Sequence, residues 1–192
     1  MPNPAPPPEW LVPLAVVVAY AWGGVSPGWW LVRRQTGIDL RTEGSGATGA
    51  TNASRILGSK AYAWVLILDT LKGAVPVLAA RWLAPTAPWA MLMAPAVVAG
   101  HIWPIWLRFR GGRGAAPLMG CCLAFNLWIV PLAWVPGFIS MLFLRKWFIA
   151  RSIAFVASLP LGWWLLGNLP AQVSLLLAWL LVLLAHRKHF GK

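Results

Sequence analysis

Residues 44–55 read Gly-Ser-Gly-Ala-Thr-Gly-Ala-Thr-Asn-Ala-Ser-Arg, and residues 108–114 read Arg-Phe-Arg-Gly-Gly-Arg-Gly. Glycine lets backbone N–H groups turn toward an anion, and arginine closes on it with a planar fork of donors. In the first run Ser45, Thr51, Asn52 and Arg55 are the side-chain donors, with Gly46 and Gly49 among the bends. It lacks the Gly-Lys-Ser/Thr ending of a nucleotide P-loop. In the second run Gly111, Gly112 and Gly114 leave the approach to Arg113 open. Arg113 is therefore the better phosphate ligand, whereas membrane anchoring suffices to explain Arg108 and Arg110. Two anion-cradling loops point to phosphorylated substrates.

Other polar residues lie inside apolar stretches. Asp69 and Lys72, at i and i+3, share a helix face and can neutralise each other; intramembrane charges are costly and usually mark a functional interior. They are expected at the floor of a pocket. His101 is expected about a turn and a half inside its span and is a candidate general base, as is Asp69. His186 and His189 flank the end of the last apolar segment. Several chemistries are absent from the sequence: no His-x-x-x-x-Asp pair, no Gly-x-Ser-x-Gly elbow and no His-Glu-x-x-His. The four acids, Glu9, Asp39, Glu43 and Asp69, are too few for a metal site or a carboxylate proton relay. Neither metal nor cofactor is expected.

The elements that must position these residues are membrane helices. Of 192 residues, 59% are hydrophobic and only 10% charged, with mean hydropathy +0.68. A chain this short cannot hide that much apolar surface from water. Continuous apolar runs, rather than alternating short strands, exclude a β-barrel. The class is all-α and polytopic, with seven spans at about 10–32, 61–80, 88–107, 115–131, 134–148, 152–168 and 171–186. A flexible lead (1–9) precedes a single membrane domain (10–187), and a short tail (188–192) follows. The formal charge of +12 falls in the loops between spans. One side carries 14 basic residues and the other only Arg81, with Lys72 left inside a span. The positive-inside rule then puts the N-terminus outside and the C-terminus and both glycine loops in the cytoplasm. The charge answers to anionic lipid or substrate; no nucleic-acid partner is expected. Cys121 and Cys122 are adjacent and read as buried thiols, and the 15 Trp residues as interfacial belts and packing.

These motifs, in this order, resemble those of the bacterial acyl-phosphate:glycerol-3-phosphate acyltransferases, the PlsY family. The resemblance is carried by Gly23-Gly-Val-Ser-Pro-Gly-Trp29, Gly37-Ile-Asp-Leu-Arg-Thr-Glu-Gly-Ser-Gly46, Gly49-Ala-Thr-Asn52 and Arg55. Asp69-x-x-Lys72-Gly73, Gly100-His101-x-x-Pro104 and Phe109-Arg-Gly-Gly-Arg-Gly114 continue it. It implies seven helices in the bacterial inner membrane and a cytoplasmic active site. The implied reaction passes a fatty acyl group from acyl phosphate to the 1-hydroxyl of glycerol 3-phosphate, giving lysophosphatidic acid and phosphate. It also implies an upstream soluble enzyme that makes acyl phosphate.

Ser45, the backbone of residues 44–49 and Arg55 would hold one phosphate. Arg113, Lys72 and His186 would hold the other, with Ser152 and His189 as further binding residues. The base is His101, Asp69 or a substrate phosphate oxygen. The chain departs from the family pattern at Ala47 (usually Asn), Arg113 (usually Lys), Pro117 (usually Thr) and His189 (usually Asn). Only Ser152 remains of a serine-rich segment, and the family's closing Arg is absent. These departures keep a second reading in play, a non-catalytic carrier or sensor of phosphorylated small molecules.

Overall fold

The computed structural model describes residues 10–83 and 91–187, and among them the chain is helical with no strand. Nine α-helices follow in order: α1 Leu11–Gly24, α2 Pro27–Thr36, α3 Ala50–Leu57, α4 Ser59–Leu83, α5 Met93–Ile102, α6 Ala115–Phe125, α7 Ile129–Leu144, α8 Trp147–Leu165 and α9 Leu169–His186. Leu11–Thr36, Ser59–Leu83 and Leu169–His186 are each long and apolar enough to cross a bilayer, and four shorter apolar helices accompany them. Large apolar side chains face outward, Trp82 at 83%, Phe143 at 81% and Trp164 at 78% exposure. Such a surface suits contact with lipid rather than water.

Four differences from the expected spans matter for the site. The first span is broken at Val25–Ser26, because Pro27 has no N–H to continue the ladder and serves as N1 of α2. Two carbonyls at the break find side-chain donors: Trp106 Nε1 on Gly24 O at 2.9 Å, and Lys72 Nζ on Val25 O at 2.6 Å. Residues 50–57, read as part of a loop, form α3 between Gly49 and the left-handed Gly58. The third span stops being α-helical at Ile102, ahead of Pro104, and the fourth at Phe125. At 1.5 Å per residue, α5 and α6 are only about 15–17 Å long, roughly half a hydrocarbon core. The segment joining them, residues 103–114, leaves the α-helical path: Pro104, Leu107, Gly112 and Gly114 are buried, while Trp103, Ile105, Trp106 and residues 108–110 are exposed.

Small residues set the packing. A Cβ on Gly23 would overlap the Val97 carbonyl, and one on Gly100 the Tyr20 carbonyl, so α1 and α5 touch backbone to backbone. Gly73 against Pro117 and Gly120 against Thr70 do the same for α4 and α6. Membrane helices associate through such close approaches because lipid supplies no hydrophobic drive between them. The main core joins α1, α4, α5, α6 and α9 around Val77, Val97, Val98, Leu118, Leu175 and Val182. A second cluster, Val32, Leu40, Ala50, Ala53 and Val65, seats α3 on α2 and α4. The α6 terminus is capped by Arg81, whose Nη1 donates to the Ala124 carbonyl and, at 2.8 Å, to that of Phe125.

Candidate functional site

The first glycine run folds as a turn leading into α3. Gly44 and Gly46 take positive φ, +53° and +67°, which side-chain-bearing residues rarely adopt. The turn is pinned from inside by Asn52. Its Nδ2 donates to Leu40 O at 3.1 Å and Glu43 O at 2.9 Å, while Oδ1 accepts from Ser45 N–H at 3.1 Å. Asn52 is 2% exposed, so its side chain holds the loop's shape. The sequence alone made it a ligand donor. Ser45, Gly46 and Gly49 are half-buried, Thr51 and Arg55 exposed. Gly49 precedes the first turn of α3, whose N–H groups and helix dipole favour an anion. The Arg55 guanidinium lies over Gly44, where a Cβ would meet Nη1 at 2.9 Å, and Nη1 sits 3.5 Å from Asn52 Oδ1.

The run is braced from the side by residues the sequence reading left out. Asp39 pairs with Arg41 at 2.5 Å and accepts from Trp29 Nε1 at 3.0 Å. The Arg41 bond, helped by that of Trp29, holds the Asp39 carboxyl well below the usual carboxylate range. Arg41 Nη1 also donates to Leu107 O at 2.9 Å, reaching the second glycine segment.

That second segment turns back on itself. Arg108 and Phe109 both take left-handed φ, +53° and +58°, strained for side-chain-bearing residues. The reversal brings Gly111 N–H to Ile102 O at 3.1 Å and Gly112 N–H to His101 O at 3.0 Å. Thr48 N–H donates to Gly111 O at 3.3 Å, so the two glycine runs, some sixty residues apart in sequence, meet directly. Gly114, with φ +84°, packs against Val182 of α9, one turn before His186. His186 Nδ1 lies 2.8 Å from Val182 O, within α9's last turn. His189 lies outside the described residues, as do the lead and the tail.

Arg113 is half-buried, and its guanidinium pKa is pulled down, first by burial, then by the positive charges of Arg151 and Arg55. Three arginines from α3, the 103–114 segment and α8 thus share one neighbourhood. Gathered like charge is a standing electrostatic cost that a bound anion would relieve. The signal for Arg151 was available in its position beside Ser152, but a loop arginine near a membrane has a sufficient other explanation.

Asp69, Lys72 and His101 are buried, with Lys72 Nζ 2.8 Å from Asp69 Oδ1 and His101 Nδ1 3.6 Å from the same oxygen. His101 occupies the last turn of α5, closer to the helix end than its expected place a turn and a half inside. Cys121 and Cys122 are buried free thiols, as expected. No metal-holding cluster of His, Cys, Asp or Glu occurs among the described residues.

Comparison with known proteins gives a consistent result. Residues 13–192 match the family model for glycerol-3-phosphate acyltransferase. The chain is 35% identical over 181 residues to the glycerol-3-phosphate acyltransferase of Prochlorococcus marinus strain NATL1A, covering 92% of this chain and 91% of that one. It is 38% identical over 176 residues to glycerol-3-phosphate acyltransferase 1 of Desulfitobacterium hafniense strain Y51, covering 91% and 86%. Its fold is similar to crystal structures of PlsY (YgiH), an integral membrane glycerol 3-phosphate acyltransferase. The glycerol 3-phosphate form gives a TM-score of 0.83 at 27% identity, covering 94% of this chain and 90% of that one. The lysophosphatidic acid form gives 0.82 at 26%, with the same coverage.

Proposed function

Because the chain belongs to the glycerol-3-phosphate acyltransferase family, we propose that it acylates the 1-hydroxyl of glycerol 3-phosphate in bacterial phospholipid synthesis, with acyl phosphate as donor. The observation that carries this reading is the junction of the two glycine runs through Thr48 and Gly111, rimmed by Arg55, Arg113 and Arg151. Such a rim suits the phosphates of a donor and an acceptor. Ser45, the α3 N-terminus and Arg55 hold one phosphate; Arg113, with Arg151, Ser152 and His186 nearby, holds the other.

Acyl phosphate is already activated, so positioning and charge stabilisation suffice. The acceptor oxygen attacks the acyl carbonyl carbon, and the bond from that carbon to the phosphate oxygen breaks. Phosphate leaves with the electron pair and takes up the hydroxyl proton, so atoms and charge balance without a covalent enzyme intermediate. The burial of Asp69 and His101 favours a phosphate oxygen over either side chain as the proton's destination.

The three long and four shorter apolar helices, with the charge asymmetry of the loops, support seven crossings of an inner membrane and a cytoplasmic site. An upstream enzyme must then deliver acyl phosphate to that face.

The test is phosphate release from palmitoyl phosphate by the purified protein, with and without glycerol 3-phosphate, scored alongside lysophosphatidic acid. Release that depends on the acceptor, with matching lipid product, is the expected result. Arg55→Ala or Arg113→Ala should each lower kcat/KM by about 10²–10³, the usual cost of one charge-stabilising donor. Full activity in both variants would sink the reading. Binding of glycerol 3-phosphate without turnover would instead favour a carrier or sensor, the alternative raised by the departures at Ala47, Pro117 and His189.

A further inference from the structure

Asp69, Lys72 and His101 form a buried cluster whose links run to the backbone of the site. They are 2%, 4% and 5% exposed. Lys72 Nζ bridges Asp69 Oδ1 at 2.8 Å and Val25 O at 2.6 Å, tying α4 to the break between α1 and α2. His101 faces Asp69 Oδ1 through Nδ1 at 3.6 Å, an electrostatic contact longer than a hydrogen bond. Its other ring nitrogen, Nε2, fills the place where a Gly112 Cβ would stand. His101 O accepts from Gly112 N–H at 3.0 Å, and the next carbonyl, of Ile102, accepts from Gly111 N–H at 3.1 Å. The imidazole is thus held between a charged pair on one edge and the Gly-Gly-Arg-Gly backbone on the other.

A general base must come within about 2.6–3.2 Å of the proton it removes. Nδ1 faces the buried carboxylate, and Nε2 is covered by Gly112. Asp69 is the most buried of the three, and its Oδ1 faces Lys72 Nζ and His101 Nδ1.

We propose that Asp69, Lys72 and His101 are positioning residues that fix the Gly111–Arg113 backbone, and through it the Arg113 guanidinium, against a substrate phosphate. The cluster acts as a wedge: it sets how far the segment can collapse toward α5. Gly112 is required because the wedge leaves no room for a side chain. The inference rests on the reading that Arg113 binds phosphate.

The test is steady-state kinetics with both substrates varied, on His101→Gln, Asp69→Asn, Gly112→Ala and the double variant His101→Ala/Gly112→Ala. A positioning role raises KM for at least one phosphate substrate about tenfold or more, with the pH profile of kcat unmoved. It also makes the double variant no worse than Gly112→Ala alone, because removing the imidazole vacates the space the new methyl needs. A catalytic base would instead show kcat down by about 10²–10⁴ with KM unchanged and one limb of the pH profile lost. That result, or strictly additive losses in the double variant, overturns the proposal. Should His101→Gln or Asp69→Asn fail to fold, the Gly112→Ala pair with its double variant still decides. Full activity in Arg113→Ala would fell the phosphate reading itself. Loss of activity there, with a pure kcat effect at His101, would fell only the positioning role.

Discussion

Asn52 shows how far a residue's type can be read without its surroundings. Its place in Gly-Ala-Thr-Asn suggested a phosphate donor, yet its amide is spent on Leu40, Glu43 and Ser45. A loop held by one buried side chain fails when that side chain goes. Asn52→Ala should cost about 1–3 kcal/mol through the unpaired groups left behind. It should lower the melting temperature in detergent as well as the activity. Arg151→Gln removes one of the three positive charges gathered at Arg113. It should raise KM for a phosphate substrate about tenfold, roughly 1.4 kcal/mol. Arg55 and Arg113 stood out in the sequence through their glycine neighbours; the loop-holding role of Asn52 and the nearness of Arg151 to Arg113 did not, because both depend on what the chain folds around them. Asp39 offers a pH readout of the brace beside the first glycine run. Its folded pKa is lowered by Arg41, so its contribution to stability is present above the ordinary carboxylate pKa and lost as pH falls through the folded value. The melting difference between wild type and Asp39→Asn should therefore be constant near neutrality and shrink below about pH 4.

At the scale of elements, hydropathy located the apolar segments but could not see where they stop being helical. The break at Val25–Ser26 sits inside a run of 26 residues that reads as one span. Pro27 marks it, yet a proline inside a membrane helix often only kinks it. The end of α5 at Ile102 was hidden likewise, since Ile105–Leu107 is as apolar as the helix before it. Helix packing through glycine was not read from the sequence; the contacts of Gly100 and Gly120 reveal it. A side chain on either would separate helix pairs that touch backbone to backbone. Gly120→Leu should part α4 from α6 and strongly reduce the yield of folded protein. Leu127→Ala, at a residue 72% exposed, should not.

For the whole molecule, the helical membrane class followed from composition and the continuous apolar runs, and the two glycine runs were expected on the same side of the membrane. Their physical contact was not, because Thr48 and Gly111 join through main-chain atoms that carry no trace of side-chain identity. The orientation rests on loop charge. A single cysteine in place of Arg110, in a background with Cys121→Ala and Cys122→Ala, should react with an impermeant maleimide from the cytoplasmic face only. Labelling from outside would reverse the assignment.

The bond between Thr48 N–H and Gly111 O, with Arg41 on Leu107 O beside it, joins the walls of the two proposed phosphate subsites. Ordering one wall with a bound anion prepays part of the conformational entropy of ordering the other. Whatever factor the donor contributes to the acceptor's affinity, the acceptor must return to the donor. The pair of substrates should therefore bind with synergy, each tightening in the presence of a non-reacting analogue of the other, and by one common factor.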